Sequence, residues 1–403
     1  MNRRVAVTGI GVLCGIGKDL GSFRKNLQEG RPQISPIRSA DVSKLRFQNG
    51  SEVPNYRSID YFEDRQADFM DRFAQFAVIA AREAVRHSGI AWTPELRETT
   101  AIVTGSCVGG QSSEDAGFWE IYRQGQNRVH PLTIPRIMAN AGASHISMEF
   151  GITGPAYTVS TACSSSAHAI GQAFQMVRSG AVDLALAGGS EAPFSFGILK
   201  AWEAMRVVSQ DTCRPFSKDR TGMILGEGAA MLVLEPFEAA QARGAPIIGE
   251  ICGFGMSSDA NHITQPSSAG AARAMRMALR DAGMRPEEVG YINAHGTATQ
   301  ANDSTETRAI REVFGSHSDR VAVSSTKSMH GHTLGAAGGI EAAATILALR
   351  DSLLPPTANF RESDPDCDLD LVTNQARHAE AGCALSNSFA FGGLNAVLAF
   401  RTV

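Results

Sequence analysis

The chain has 403 residues, 43% of them hydrophobic and 19% charged, the balance of a folded protein with a large core. A formal net charge of −4 gives no electrostatic reason to expect nucleic acid or an anionic membrane as partner. Seven scattered cysteines without a C-x-x-C pair speak against a disulfide framework or a zinc ribbon, and for a reducing, cytoplasmic setting.

The opening run has the arginines and apolar stretch of a secretion signal, but glycines interrupt it. A first strand entering a glycine-rich turn is the better reading. Residues 9–15 hold one residue too many for a dinucleotide loop, and Gly17-Lys18 lacks phosphate-loop spacing. Neither a nicotinamide nor ATP is implied. Residues 73–86 carry apolar side chains at helical spacing and stop at Gly89, suited to a left-handed cap. Short apolar runs at 102–103 and 184–186 read as buried strands. Between them, residues 157–160 predict a strand and Cys163 opens a helix, with Ala167, Ile170, Phe174 and Val177 on one face and an end near Gly180. An alanine-rich, charged stretch at 238–246 divides the chain into halves, 1–245 and 246–403, packed as one body for want of a long linker. Residues 334–349 are too few for a membrane span and include Glu341, so they predict a buried helix.

The halves echo each other. Fifteen residues from Val159 (VSTACSSSAHAIGQA) align without gaps on VSSTKSMHGHTLGAA from Val323, placing Cys163 on Lys327 and His168 on His332. AREAVRHSGI from Ala81 matches MRMALRDAGM from Met275, and AIVTGS from Ala101 matches YINAHG from Tyr291. The echoes run in the same order in both halves, which predicts a duplicated α/β unit.

The chemistry centres on Cys163. A thiol at a helix N-terminus feels the positive end of the dipole, which favours the thiolate, and its small neighbours leave room for a carbonyl and free N–H groups for an oxyanion. Read alone, the residue fits a buried structural cysteine as well. His295 ends a strand-like run, and His332 precedes the buried helix; strand ends and helix starts converge on clefts in α/β folds. His330 and His332 lack carboxylate or thiol partners at ligand spacing, so no metal is expected.

Four runs carry a resemblance: T-A-C-S-S-S-A-H-A-I-G around Cys163, N-A-H-G-T-A-T around His295, K-S-M-H-G-H-T-L-G-A-A-G around His332, and S-N-S-F-A-F-G-G-L-N near the C-terminus, with G-M-I-L-G-E-G-A in mid-chain. They resemble, in order and over Arg4 to Phe400, the motifs of elongating β-ketoacyl-acyl carrier protein synthases. The resemblance implies a thiolase-like fold, two duplicated halves in five layers α-β-α-β-α, usually a homodimer. It implies that Cys163 takes an acyl group from the phosphopantetheine of an acyl carrier protein, with no tightly bound cofactor, and that malonyl-carrier protein then decarboxylates and condenses with it. By the same resemblance, neutral His295 and His332 stabilise the enolate, and the backbone N–H groups of Cys163 and Phe391 hold the oxyanion. Phe391 is the gate, Thr297 and Thr299 contact pantetheine, Lys327 pairs with Glu306, and Val108, Thr133, Ile134 and Trp202 shape the acyl pocket.

The pattern departs from the family at Ala390, where a glycine is usual, at Leu394 for threonine, and at His330. With Thr133 and the stretch from Leu199, these departures look more like a specialised branch such as nodulation-signal, aryl-polyene or polyketide synthases, with a pocket for polyunsaturated or long chains. Two alternatives are a thiolase and a partner-dependent chain-length subunit. Cys383 lies outside the C-terminal loop where a thiolase has its second cysteine, and the retained Cys163 argues against a chain-length subunit. A heterodimer with a related subunit stays open.

Overall fold

The computed structural model describes residues 3–403. Eleven strands form the main sheet: β1 (Val5–Cys14), β2 (Thr100–Gly105), β3 (Ala156–Val159), β4 (Leu184–Glu191), β5 (Gly228–Pro236), β6 (Gly249–Ser258), β7 (Tyr291–Asn293), β8 (Ala322–Ser324), β9 (Asp370–Leu371), β10 (Cys383–Ala390) and β11 (Leu394–Arg401). Their spatial order is β9-β8-β7-β10-β11-β6-β1-β5-β4-β2-β3. The duplication is visible in that order. Reading outward from the centre, β1-β5-β4-β2-β3 repeats as β6-β11-β10-β7-β8, with the same alternation of antiparallel and parallel pairs. The half-sheets join where Val5–Val7 of β1 pairs with Gly249–Ile251 of β6.

Strand periodicity sorts side chains into layers. In β4, Ala185 and Ala187 face one core, while Leu184 and Leu186 face another. In β11, Ala396, Leu398 and Phe400 join that same first core, and Val397 and Ala399 a third. The shared core holds two helices, α4 (Ser165–Ser179) and α9 (Ala337–Asp351), sandwiched between the half-sheets. Outside the first half-sheet lies α1 (Arg72–Ser88); outside the second lie α6 (Ser268–Ala282) and α7 (Gln300–Phe314). The result is the expected five layers.

The sequence expectations hold locally. Helix α1 ends on Gly89 at φ 64°, and α4 on Gly180 at φ 80°. Helix α9 is buried from Ala337 to Leu349, which is why it is apolar all round rather than on one stripe. It starts later than predicted, because Leu334–Ala336 form a separate 3₁₀ turn. No helix among the described residues is long and apolar enough to cross a membrane.

Three shorter helices matter for the site: α2 (Gln111–Tyr122), α3 (Thr133–Ile137) and α5 (Phe196–Met205). A single turn, α8 (Lys327–His330), follows β8.

Candidate active site

Cys163 lies between the end of β3 and the first turn of α4, where the backbone reverses through Ala162 at φ 50°, in the left-handed region. Three serines and threonines hold this turn. Thr161 N–H donates to Ser165 Oγ at 2.9 Å, Ser165 Oγ to the Ala162 carbonyl at 2.6 Å, and Ser164 Oγ to the Thr161 carbonyl at 2.8 Å. The helix start can close on the sheet because Gly105 has no side chain; a Cβ there would lie 2.3 Å from Ser166 N. The thiol is buried, and burial pushes its pKa up to about 11, against the opposing pull of Lys327 and of the N–H groups of Phe391 and Cys163. Burial thus works against the depression expected at the helix start and outweighs the Lys327 charge and the two N–H groups.

His295 follows β7. Glu306, buried on α7, clamps the turn: its Oε1 accepts from His295 N–H at 2.9 Å and from Asn387 Nδ2 at 3.1 Å, and its Oε2 from Gly296 N–H at 2.8 Å. The Lys327 ammonium lies 3.3 Å from His295 Nδ1. An ammonium only donates, so Nδ1 accepts and the ring proton sits on Nε2. His332 reaches the same state by another route, its Nδ1 accepting Leu334 N–H at 3.3 Å. The two rings stand edge to face, centroids 5.4 Å apart. Burial and the Lys327 charge hold both well below the usual histidine range, so both are neutral with an Nε2–H free to donate.

Lys327 does not pair with Glu306. Its ammonium bonds to Glu341 of α9, with both side chains fully buried. Glu306 does sit beside the site, but its oxygens accept from the His295 and Gly296 N–H groups and from Asn387 Nδ2. Glu341 was legible in one respect, as the lone carboxylate in an apolar run.

A cavity of about 110 Å³ gathers Cys163, His295, His332, Thr297, Thr299 and Phe391. Thr297 and Thr299 hydroxyls lie 2.9 Å apart, and Thr299 caps α7 through Asn302 N–H. Phe389, Asp259, Ile263 and Asn395 also line the cavity and were not foreseen. Of the four residues assigned to an acyl pocket, none lines it. Trp202 sits behind Phe391, rings stacked with centroids 6.2 Å apart. Val108 follows β2, its N–H 3.4 Å from the buried Glu191 carboxylate, which also accepts from Cys107 N–H at 2.6 Å and Gly335 N–H at 3.0 Å. Thr133 opens α3, its hydroxyl donating to the His130 carbonyl at 2.6 Å, and Ile134 is 63% exposed. His330, by contrast, is structural: its ring nitrogens contact the Gly331 carbonyl and Thr326 Oγ1 at 2.8 and 3.0 Å.

A buried nucleophile beside two neutral N–H donors and two backbone N–H groups can carry a thioester and stabilise an enolate. Comparison with known proteins points the same way. The family model for the β-ketoacyl synthase N-terminal domain matches residues 2–240, and that for the C-terminal domain residues 248–361. The chain is 47% identical to nodulation protein E of Rhizobium sp. (strain N33), over 100% of both chains. It is 41% identical to 3-oxoacyl-(acyl-carrier-protein) synthase 2 of Synechocystis sp., over 99% of this chain and 98% of that one. Among solved structures, the ishigamide ketosynthase/chain length factor superposes with a TM-score of 0.96 at 38% identity, over 100% of both chains. A type II PKS acyl-carrier protein in complex with its ketosynthase bound to the hexaketide gives 0.89 at 31%, again over 100% of both chains.

Proposed function

The chain belongs to the β-ketoacyl synthase family, and from that premise we propose that Cys163 carries the acyl group while His295 and His332 bind the malonyl unit that extends it. The reaction is a chain-elongating Claisen condensation. In the first half, the Cys163 thiol attacks the acyl thioester of a carrier protein; the acyl–sulfur bond to pantetheine breaks, and the thiol proton ends on the departing pantetheine sulfur. The N–H groups of Cys163 and Phe391 hold the oxyanion between.

In the second half, malonyl-carrier protein enters and its carboxylate leaves as carbon dioxide. The electron pair becomes an enolate, whose oxygen accepts from the two Nε2–H donors. The enolate carbon attacks the acyl-Cys163 carbonyl, the carbon–sulfur bond breaks, and the Cys163 thiolate takes up a proton. The product is a 3-oxoacyl-carrier protein two carbons longer. The observation that carries this reading is the matched tautomer of the histidines: Lys327 and Leu334 N–H each occupy an Nδ1, so both Nε2–H groups are available in the cavity with Cys163. Lys327 and Glu341 act electrostatically; Glu306 positions His295. Thr297 and Thr299 contact the pantetheine arm.

Substrate arrives on an acyl carrier protein, in the cytoplasm, as the seven free cysteines favour. The chain acts as two halves, 1–245 and 246–403, in one body. Strand β3 ends the sheet with an unpaired edge, and Phe118 and Tyr122 of α2, Ile134 of α3 and Met138 just after it are exposed. Pairing of that edge with a second copy, or with a related subunit, covers them and brings Thr133 and Ile134 into an acyl pocket with Val108 and Trp202. That pocket takes long or polyunsaturated chains.

The test is intact-protein mass spectrometry after incubation with acyl-carrier proteins varied in length and unsaturation, with Cys163→Ala alongside. An adduct on wild type only, then elongated product with malonyl-carrier protein, supports the reading. No adduct from any donor sinks it in favour of a partner-dependent subunit. Acceptance of short saturated chains alone removes the long-chain pocket.

A further inference from the structure

His330 is buried and does not line the cavity, yet its ring spans the single turn that leads from Lys327 to His332. We propose that His330 is a positioning residue for condensation: by holding the peptide between Gly331 and His332, it keeps the His332 Nε2–H aimed at the malonyl unit. The proposal rests on the reading of His332 as a donor to the enolate.

The bonds of the ring fix its tautomer. His330 Nδ1 lies 2.8 Å from the Gly331 carbonyl oxygen, which only accepts, so Nδ1 carries the proton. Nε2 is then the acceptor for the Thr326 hydroxyl at 3.0 Å. His295 and His332 hold the opposite tautomer. Burial and the Lys327 charge push the His330 ring down to about 3, so it stays neutral and keeps both bonds. Thr326 precedes Lys327 and Gly331 precedes His332, so one imidazole staples the start of α8 to its end.

The stapled backbone is unusual. Gly331 adopts φ 68° and ψ −177°, a region essentially closed to other residues, and a Cβ there would lie 3.1 Å from the Ile224 and Leu225 carbonyl oxygens. In the trans peptide that follows, the Gly331 oxygen and the His332 N–H point in opposite directions. His330 binds the oxygen, and the Ile224 carbonyl accepts the N–H at 2.6 Å. Gly226 N–H donates to the His332 carbonyl at 2.9 Å, so the backbone from which the His332 ring projects is tied on every side. Without the His330 donor, a buried carbonyl loses its partner beside the most permissive residue type, and the peptide plane can rotate and carry His332 with it. A misplacement of about 1 Å at a reacting group costs up to about 100-fold in rate.

The experiment compares two amides in the full-length enzyme. His330→Asn keeps an N–H where Nδ1 stands and gives up the Thr326 bond; His330→Gln reaches Thr326 and gives up the Gly331 bond. Acyl transfer to Cys163 is followed by mass in a single turnover, and condensation by the 3-oxoacyl product formed with malonyl-carrier protein. His330→Gln should lower condensation roughly 10- to 100-fold with acylation within about twofold, while His330→Asn should stay within about threefold of wild type in both steps. Equal losses in the two steps, or an Asn variant no better than Gln, overturn the proposal in favour of a role in folding alone. If His330→Gln does not fold, Thr326→Val, which keeps the ring but loosens it, carries the same test. Condensation should then fall at least about twofold relative to acylation, and an unchanged ratio overturns the proposal. In the wild type, ¹⁵N-histidine NMR, with the His330 signal assigned by its shift in Thr326→Val, should show the proton on Nδ1; a proton on Nε2 overturns the staple directly. A wild type that is acylated but never condenses overturns the enolate reading of His332 instead, an outcome the NMR result does not share.

Discussion

Strands β3 and β8 occupy equivalent places in the two half-sheets, and the connections leaving them differ in length and content. In the first half, residues 160–164 suffice to reach the central helix α4, and the tight turn at Ala162 delivers Cys163. In the second, residues 325–336 intervene before α9 and hold Lys327, a bend at Gly331 with φ 68°, and His332. The ends of β2 and β7 make a second such pair. Glu191 clamps the N–H groups of Cys107 and Val108 after β2, and Glu306 clamps those of His295 and Gly296 after β7. One half thus ends in a nucleophile and the other in hydrogen-bond donors and a buried charge. The two strand ends are braced by carboxylates from non-equivalent elements, Glu191 at the end of β4 and Glu306 on α7, and the longer connection in one half adds the asymmetry that chemistry between two different substrates needs.

The comparison can be broken at each of its members. Cys163→Ala removes the only acyl acceptor assigned to the first half, and condensation should fall by about 10³-fold or more with no adduct by mass. Lys327→Ala takes the cation away from the fully buried Glu341, which burial already pushes up to about 7; the carboxyl should take up a proton, with an expected loss of about 1–3 kcal/mol in denaturant unfolding. Lys327→Met combined with Glu341→Gln should recover most of it, and an unaffected single variant would show that the pair is not ionised. His332→Ala should lower condensation by about 10²–10³-fold while sparing Cys163 acylation in single-turnover assays, since its donor acts on the enolate.

The braces sharpen the comparison further. Glu191→Gln and Glu306→Gln each replace a buried carboxyl, which burial pushes up to about 7 at Glu191 and upward at Glu306, by an amide with one acceptor oxygen, and should cost a similar 1–3 kcal/mol, roughly, in unfolding. Their catalytic effects should separate, with Glu306→Gln reducing condensation through His295 and Glu191→Gln leaving that step largely intact. A last test concerns titration. With its pKa pushed up to about 11, Cys163 is a neutral thiol at pH 7, and its thiolate fraction grows about tenfold per pH unit below that value. Alkylation by iodoacetamide should climb accordingly from pH 7 to 10; a plateau near pH 8 would mean that charge and N–H groups outweigh burial after all.

Much of the site was legible because its residues sit in contiguous runs. Cys163, His295 and His332 each lie where a strand gives way to a turn or helix, so periodicity, a turn residue and the chemistry of the side chain coincide in a few positions. The ungapped echo between the halves was legible too, but it misaligned beyond Lys327. It set His168 against His332, whereas His168 Nδ1 lies 2.9 Å from Thr161 Oγ1 within the first half. The extra segment between β8 and α9 leaves no mark in local similarity. The pairing of Lys327 escaped for a related reason. The resemblance pointed to Glu306, but α9 crosses the central layer and brings Glu341 to the ammonium.

Sequence alone determined the α/β alternation, the duplication, and the placing of Cys163, His295 and His332 where strands give way to turns and helices, because strand periodicity, helix caps and turn residues are properties of short stretches. Tertiary structure alone decided which carboxylate neutralises Lys327, which nitrogen of each histidine carries the proton, that the thiol is raised rather than lowered, and that Trp202 meets Phe391 instead of the cavity. Those outcomes depend on burial and on distances of a few ångströms between residues far apart in the chain. Only the packing of two half-sheets around α4 and α9 sets them.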